Sequence, residues 1–263
     1  MSRLRQVDRP ALMSMLTVAV LGPAAFGQDA ASQRESAPVD LTGYWVSVVT
    51  EDWRWRMVVP GRGDYASIPL NQEGIRVADQ WEPGVVIPGE ECRPYGAAAI
   101  MRVPGRIHVT WEDDETLRID TDSGMQTRLF HFDGEPPEEL EPAWQGYSAA
   151  RWEAPPGGQS QLRVAVPQGV GGSGGNRSQW RSLEVVTTNL RPGYLRWNGV
   201  PYSADAVVRE YYDVTPMPNG DTWLIVTTIV DDPLYLDIPY VTSTNFKQQA
   251  DDSGWNPTPC TTG

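Results

Sequence analysis

The chain has 263 residues, of which 40% are apolar and 21% charged. That length and balance predict one large folded domain with a sizeable core, not a long disordered tract. A net charge of −13, with Lys247 as the sole lysine, argues against nucleic acid and anionic membrane surfaces, which both select clustered Lys and Arg.

Two histidines, His108 and His131, and two cysteines, Cys92 and Cys260, make a metal centre built from several His or Cys implausible. Eleven Trp and ten Tyr stand against four Phe, a surplus of rings that carry a polar handle.

Residues 1–27 read as a secretory signal peptide. Arg3, Arg5 and Arg9 precede an apolar stretch from Ala11 to Phe26, and Ala25 and Gly27 are small residues suited to cleavage before Gln28. The chain is therefore expected to be exported, periplasmic or extracellular, with no membrane attachment after cleavage. Residues 28–38 read as a flexible tether. In an oxidising compartment Cys92 and Cys260 are expected to pair and pin the tail, residues 248–263, to the body.

From residue 39 to 247 the pattern is β almost throughout. Strands are expected at Tyr44–Val49 and Trp53–Val59. One short helix is expected after Asn71, which can cap it, before Pro83-Gly84 stops it. Residues 97–132 read as a meander of four strands: Ala98–Val103, Arg106–Glu112, Thr116–Asp122 and Met125–Phe132. Pro104-Gly105, Asp113–Glu115 and Ser123-Gly124 supply its turns. Further strands are expected at Gln145–Glu153, Ser182–Thr188, Ala204–Val214, Thr222–Val230 and Tyr235–Phe246. Asn198-Gly199 and Asn219-Gly220 mark further turns. Residues 155–181 contain the run Gly171-Gly172-Ser173-Gly174-Gly175 and read as a mobile insertion. The fold class is all-β: a single antiparallel barrel of about ten strands with one short helix.

Asp40-Leu41-Thr42-Gly43-Tyr44-Trp45 resembles the G-x-W opening of lipocalins and related calycin barrels, in which the Trp closes the barrel floor. The match departs at Val46. A wider resemblance is to a family of secreted bacterial proteins of unknown function. It is carried by Glu51-Asp52-Trp53, Gly63-Asp64-Tyr65 with Pro69 and Asn71, Gln126-Thr127-Arg128, Asp133-Gly134 and Trp144-Gln145-Gly146-Tyr147-Ser148. It continues through Arg151-Trp152-Glu153, Asn198-Gly199, Ser203, Glu210 and Asp232-Pro233-Leu234-Tyr235. The chain departs from that family at residues 154–181, where a short acidic turn is usual, and at Glu135, where a basic residue is common. The resemblance implies a fold and a compartment but no reaction.

Strand pairing through the turns supplies the candidate site. The Ser123-Gly124 turn sets Ile119 opposite Arg128, on a face with Ile107, Val109, Trp111, Leu117 and Phe130. Glu210 stands among Ala206, Val208, Tyr212 and Val214 in the same way. A charge on an apolar face requires a partner, so Arg128 and Glu210 are expected to meet inside the barrel. There they would be the polar anchor of a small, partly apolar ligand, with Trp111, Trp152 and Tyr212 as its aromatic lining. The alternatives are a structural ion pair in an envelope protein, or a cofactor-independent isomerase, cyclase or lyase on the same barrel. For such an enzyme Glu210, or His108 oriented by Asp120 across the strands, would act as acid–base groups. No phosphate loop or nucleotide motif is present, and no cofactor or metal is expected. Gly146-Tyr147-Ser148-Ala149-Ala150 mimics a nucleophile elbow but sits in a strand. Asp120–Gly124 mimics a calcium loop without its spacing or its closing Glu.

Overall fold

The computed structural model describes residues 31–85, 87–153 and 182–261. The expected signal peptide and glycine-rich insertion lie outside the described residues. Nine strands close a barrel. They are β1 (Gly43–Val48), β2 (Arg106–Trp111), β3 (Thr116–Thr121), β5 (Thr127–His131), β6 (Tyr147–Trp152), β7 (Leu183–Thr188), β10 (Val207–Pro216), β11 (Thr222–Asp231) and β12 (Tyr240–Gln249). Around the barrel the order is β1, β12, β11, β10, β7, β6, β5, β3, β2 and back to β1. Four short strands lie outside it. β8 (Gly193–Arg196) and β9 (Val200–Tyr202) form a hairpin about the Asn198-Gly199 turn. β4 (Ser123–Gly124) pairs in parallel with β13 (Thr258–Pro259).

The meander has the expected register, with His108 opposite Asp120 and Ile119 opposite Arg128. The barrel is not wholly antiparallel, however: β5 and β6 run in parallel. A parallel neighbour requires a crossover of a dozen or more residues, and residues 132–146 supply it.

Two expected strands are helical instead. Residues Trp53–Met57 form a short helix, α1. Asp52 before it adopts a left-handed φ of 50°, which ends the extended chain. Arg56 then turns inward, where Ser47, Glu51 and the Arg102 carbonyl accept its protons. This tertiary bonding overrides the β preference of the two Trp residues. The second case is Ala98–Val103, whose centre, Ile100–Arg102, is a turn of 3₁₀ helix. Residues Ala97 to Met101 are all buried, and a short apolar run buried on every side has no period that separates strand from helix.

The expected helix is α2 (Gln72–Ala78). The Asn71 side chain caps it by accepting the Gly74 amide, 2.9 Å. The Cys92–Cys260 disulfide is present, with Cα atoms 5.0 Å apart. It fixes the tail beside β4, where the Thr258 amide also donates to the Asp122 carbonyl. Near the start of the described chain, the Gln33 and Arg34 amides donate to Glu115 and Asp114 of the acidic turn.

The core has two parts. One fills the barrel and includes Trp45, Ile107, Leu117, Phe130, Leu183, Tyr212, Leu224 and Phe246. Trp45 is fully buried, and its indole N–H donates to the Leu41 carbonyl at 3.0 Å. The second part gathers α2, the β8–β9 hairpin and Ala97 and Ala98 before the 3₁₀ turn at Ile100–Arg102, with Leu190, Tyr202, Val208 and Val230 among its members. The two meet along β10 and β11. Val208 and Val230 belong to the second part, while Tyr212 and Val226 belong to the first. Glu210 and Thr228 lie opposite each other between them.

Candidate functional site

That seam is polar. Arg128 from β5 reaches across the barrel to Glu210 of β10, and both side chains are wholly buried, 0% exposed. The contact is a two-pronged fork: Nη2 to Oε2 at 2.6 Å and Nη1 to Oε1 at 3.1 Å. Arg128 also donates to the Thr187 hydroxyl at 3.2 Å and lies 3.3 Å from the Tyr212 hydroxyl. Ser148 and Thr187 share a 2.7 Å hydrogen bond. Burial alone would lower the Arg128 pKa, but the Glu210 carboxylate reverses this and holds it above its ordinary value. Burial, reinforced by Glu210, pushes the Tyr212 hydroxyl well up. The cluster is thus a charged pair with neutral hydroxyls around it, sealed between two apolar layers.

Tyr212 belongs to this sealed cluster. Trp111 and Trp152 do not approach it as a cavity lining. They form a row with Phe132, which lies 5.7 Å from Trp111 and 5.4 Å from Trp152 between ring centroids. This row lies at the end of the barrel where β2 finishes and packs against the main core. Of the expected ligand residues, then, the structure joins Arg128, Glu210 and Tyr212 but encloses them. It sets Trp111 and Trp152 at one barrel end.

His108 and Asp120 are cross-strand neighbours on the outer face, but each is engaged elsewhere. The His108 ring stacks on Tyr44 at 3.9 Å and meets the edge of Trp255. Asp120 accepts from both Arg118 and Thr127. Burial opposes the charge on Asp120, yet these bonds hold its pKa below the usual carboxylate value. Such a carboxylate is a weak base. Ser148 lies in β6 and bonds Thr187, not a histidine. Asp232 directly follows β11 and is fully buried, accepting from the Ser203 amide and hydroxyl at 2.7 and 2.8 Å. Among the described residues no group of three His, Cys, Asp or Glu is placed to hold a metal ion.

One open concavity, of about 330 Å³, lies on the outer wall beside His108, Asp120 and Trp255; another, richer in aromatic and arginine side chains, lies at the end where β2 begins. It is a cleft of about 340 Å³, walled by α1, the 3₁₀ turn, the segment Leu195–Trp197 and the tail. Cavities of this size hold small organic molecules. Three of its walls are aromatic: Trp55, Tyr95 and Trp197. Tyr95 and Trp197 pack together at 5.2 Å. Gly124, at φ 82°, makes room for Tyr95, since a Cβ there would collide with its ring. Met57 and Val58 stand exposed at the mouth.

Every charged residue in this wall is an arginine: Arg56, Arg102 and Arg196. All three are buried. Arg56 pairs with Glu51, and Arg102 donates to Asp52 at 2.9 Å. Arg196 donates to the carbonyls of Asp64 and Ala66, at 3.3 and 3.0 Å, and its guanidinium lies 5.2 Å from the Trp55 ring. Burial lowers the pKa of Arg56 and of Arg196, and the charge of Arg102 lowers each further. The three guanidiniums therefore share one field.

Sequence reasoning missed these residues. Arg102 closes an apolar run, Arg56 sits in Trp53-Arg54-Trp55-Arg56, and Arg196 lies between Leu195 and Trp197. Each is an Arg in apolar company, the same signal that exposed Arg128. None lies in a strand of the barrel, so no register could aim them at a common point.

Comparison of the chain with family models, with curated proteins and with solved structures finds no match.

Proposed function

We propose that this chain is an exported binding protein that holds a small, partly apolar molecule in the cleft at the β2-start end of the barrel. The observation that carries this is the cleft itself: an open, aromatic-walled concavity of about 340 Å³ with a few convergent polar groups. The barrel interior supports the same placement, because its buried charges Arg128 and Glu210 pair with each other and its apolar side chains pack around them. The Cys92–Cys260 bond supports export, since such bonds persist chiefly in oxidising compartments. The buried Trp45 of the G-x-W opening supports kinship with lipocalin-like barrels, although the cleft lies at the rim and not along the axis.

Native mass spectrometry of the exported protein tests the reading. The expected result is a small molecule present in the native spectrum and missing after denaturation, with its occupancy reduced in Trp197→Ala. A bare native mass in the unaltered protein, together with no binding from a library of small aromatic and aliphatic compounds, would overturn it.

A further inference from the structure

We propose that the ligand of this cleft is an organic anion: a flat apolar body carrying one carboxylate, sulfonate or phosphate group held by arginine. The inference rests on the reading of the cleft as a binding site and adds the chemical class of the ligand. In a chain where acidic residues outnumber basic ones, 34 to 21, a wall whose only charged members are three arginines is a local reversal of sign. Their neutralisation is incomplete. Glu51 answers Arg56 and Asp52 answers Arg102, while Arg196 makes no direct ion pair: it bonds the Asp64 and Ala66 carbonyls and the Tyr240 hydroxyl, and feels the Asp64 carboxylate at longer range. Asp64 is already paired with Arg54, so three carboxylates answer four guanidiniums and the wall keeps a positive excess.

A second observation points the same way. Buried guanidinium nitrogens of Arg93, Arg102, Arg106 and Arg128 lack a hydrogen-bond partner among the described residues, and of these four residues Arg102, through its Nη1, belongs to the cleft wall. A buried donor left unpaired is costly, and natural structures leave few of them. The neighbouring guanidiniums of Arg56 and Arg196 repel Arg102, and an anion seated in the cleft would relieve that repulsion. Guanidinium forks suit carboxylate, sulfonate and phosphate oxygens. Trp55, Tyr95 and Trp197 supply the surface for the body of the ligand.

The test is fluorescence titration of the full chain with matched probes: benzoate, naphthalene-2-carboxylate and biphenyl-4-carboxylate, each beside its own carboxamide. At least one carboxylate should bind about tenfold more tightly than its amide, equivalent to about 1.4 kcal/mol. High salt should shrink that preference, and Arg196→Gln should abolish most of it. Should that variant fold poorly, the exposed mouth position gives a second route: Met57→Glu should lose the carboxylate preference relative to Met57→Gln. Equal binding of carboxylate and amide, or a preference for the amide, would overturn the anion while leaving the cleft a binding site. Binding of neither form of any probe would overturn the binding site and the anion together.

Discussion

Two groups of buried arginine define this molecule, and they differ in what answers them. Inside the barrel, Arg128 meets Glu210 in a two-pronged contact with Thr187 and Tyr212 beside it. At the rim, Arg56, Arg102 and Arg196 face an open cleft with two carboxylates among them. A buried charge consumed by its partner locks one arrangement of strands. A buried charge beside open space can, on the proposed reading, serve as a recognition element. The contrast teaches that an out-of-pattern charge in a sequence locates a polar site but does not say whether that site is closed or open.

The largest expected effect comes from breaking the closed pair. Arg128→Met should strand Glu210 in the core and cost about 3–5 kcal/mol of stability. The double variant Arg128→Met/Glu210→Leu should recover most of the loss in chemical denaturation. A single variant no less stable than the double would show that the pair is not sealed. Next is the open site's tether. Cys92→Ser/Cys260→Ser should cost about 2–4 kcal/mol. It should also weaken probe binding, because Thr258, Pro259 and Thr261 of the released tail form one wall of the cleft. Unchanged affinity in the reduced protein would remove the tail from the site.

Smaller is Tyr212→Phe, which deletes one neutral partner of a guanidinium already forked onto Glu210. It should cost about 0.5–1.5 kcal/mol and leave ligand affinity unaltered. The smallest effect lies on the outer wall, where Glu184 accepts from Arg151 and Arg209. Burial opposes its charge, but the two arginines hold its pKa below the ordinary carboxylate value. Its contribution is complete above the unfolded carboxylate pKa, about 4.3, and is lost as pH falls through the lower folded value. Both arginines are substantially exposed, so solvent screens the effect. An acid titration of stability should be measurably flatter in Glu184→Gln, and an identical slope would contradict this assignment.

Much of the barrel was legible because hairpin turns transmit register. Ser123-Gly124 sets Ile119 against Arg128, and alternation along β10 exposes Glu210 as the other misfit. Their meeting follows from the cost of an unpaired buried charge, without any knowledge of the intervening strands. The parallel β5–β6 contact was not legible, since residues 132–146 carry no signal for which side of the sheet they cross. Nor was α1, where Trp-rich sequence favours a strand and the inward bonds of Arg56 decide otherwise. The cleft was the least legible feature. It is assembled from α1, the 3₁₀ turn, the β8 region and the tail, which are distant in sequence and joined only by the fold and the disulfide.

The most direct test of the central claim compares the two barrel ends in one experiment. In ¹⁵N spectra of the full chain, the indole N–H signals of Trp55, Trp197, Trp111 and Trp152 can be assigned by single Trp→Phe variants and followed as a bound carboxylate probe is added. The account predicts shifts of Trp55 and Trp197 at the open cleft, with Trp111 and Trp152 unmoved at the far end. Shifts of Trp111 and Trp152 with Trp55 and Trp197 unmoved would contradict it and return the binding site to the aromatic row beside Phe132.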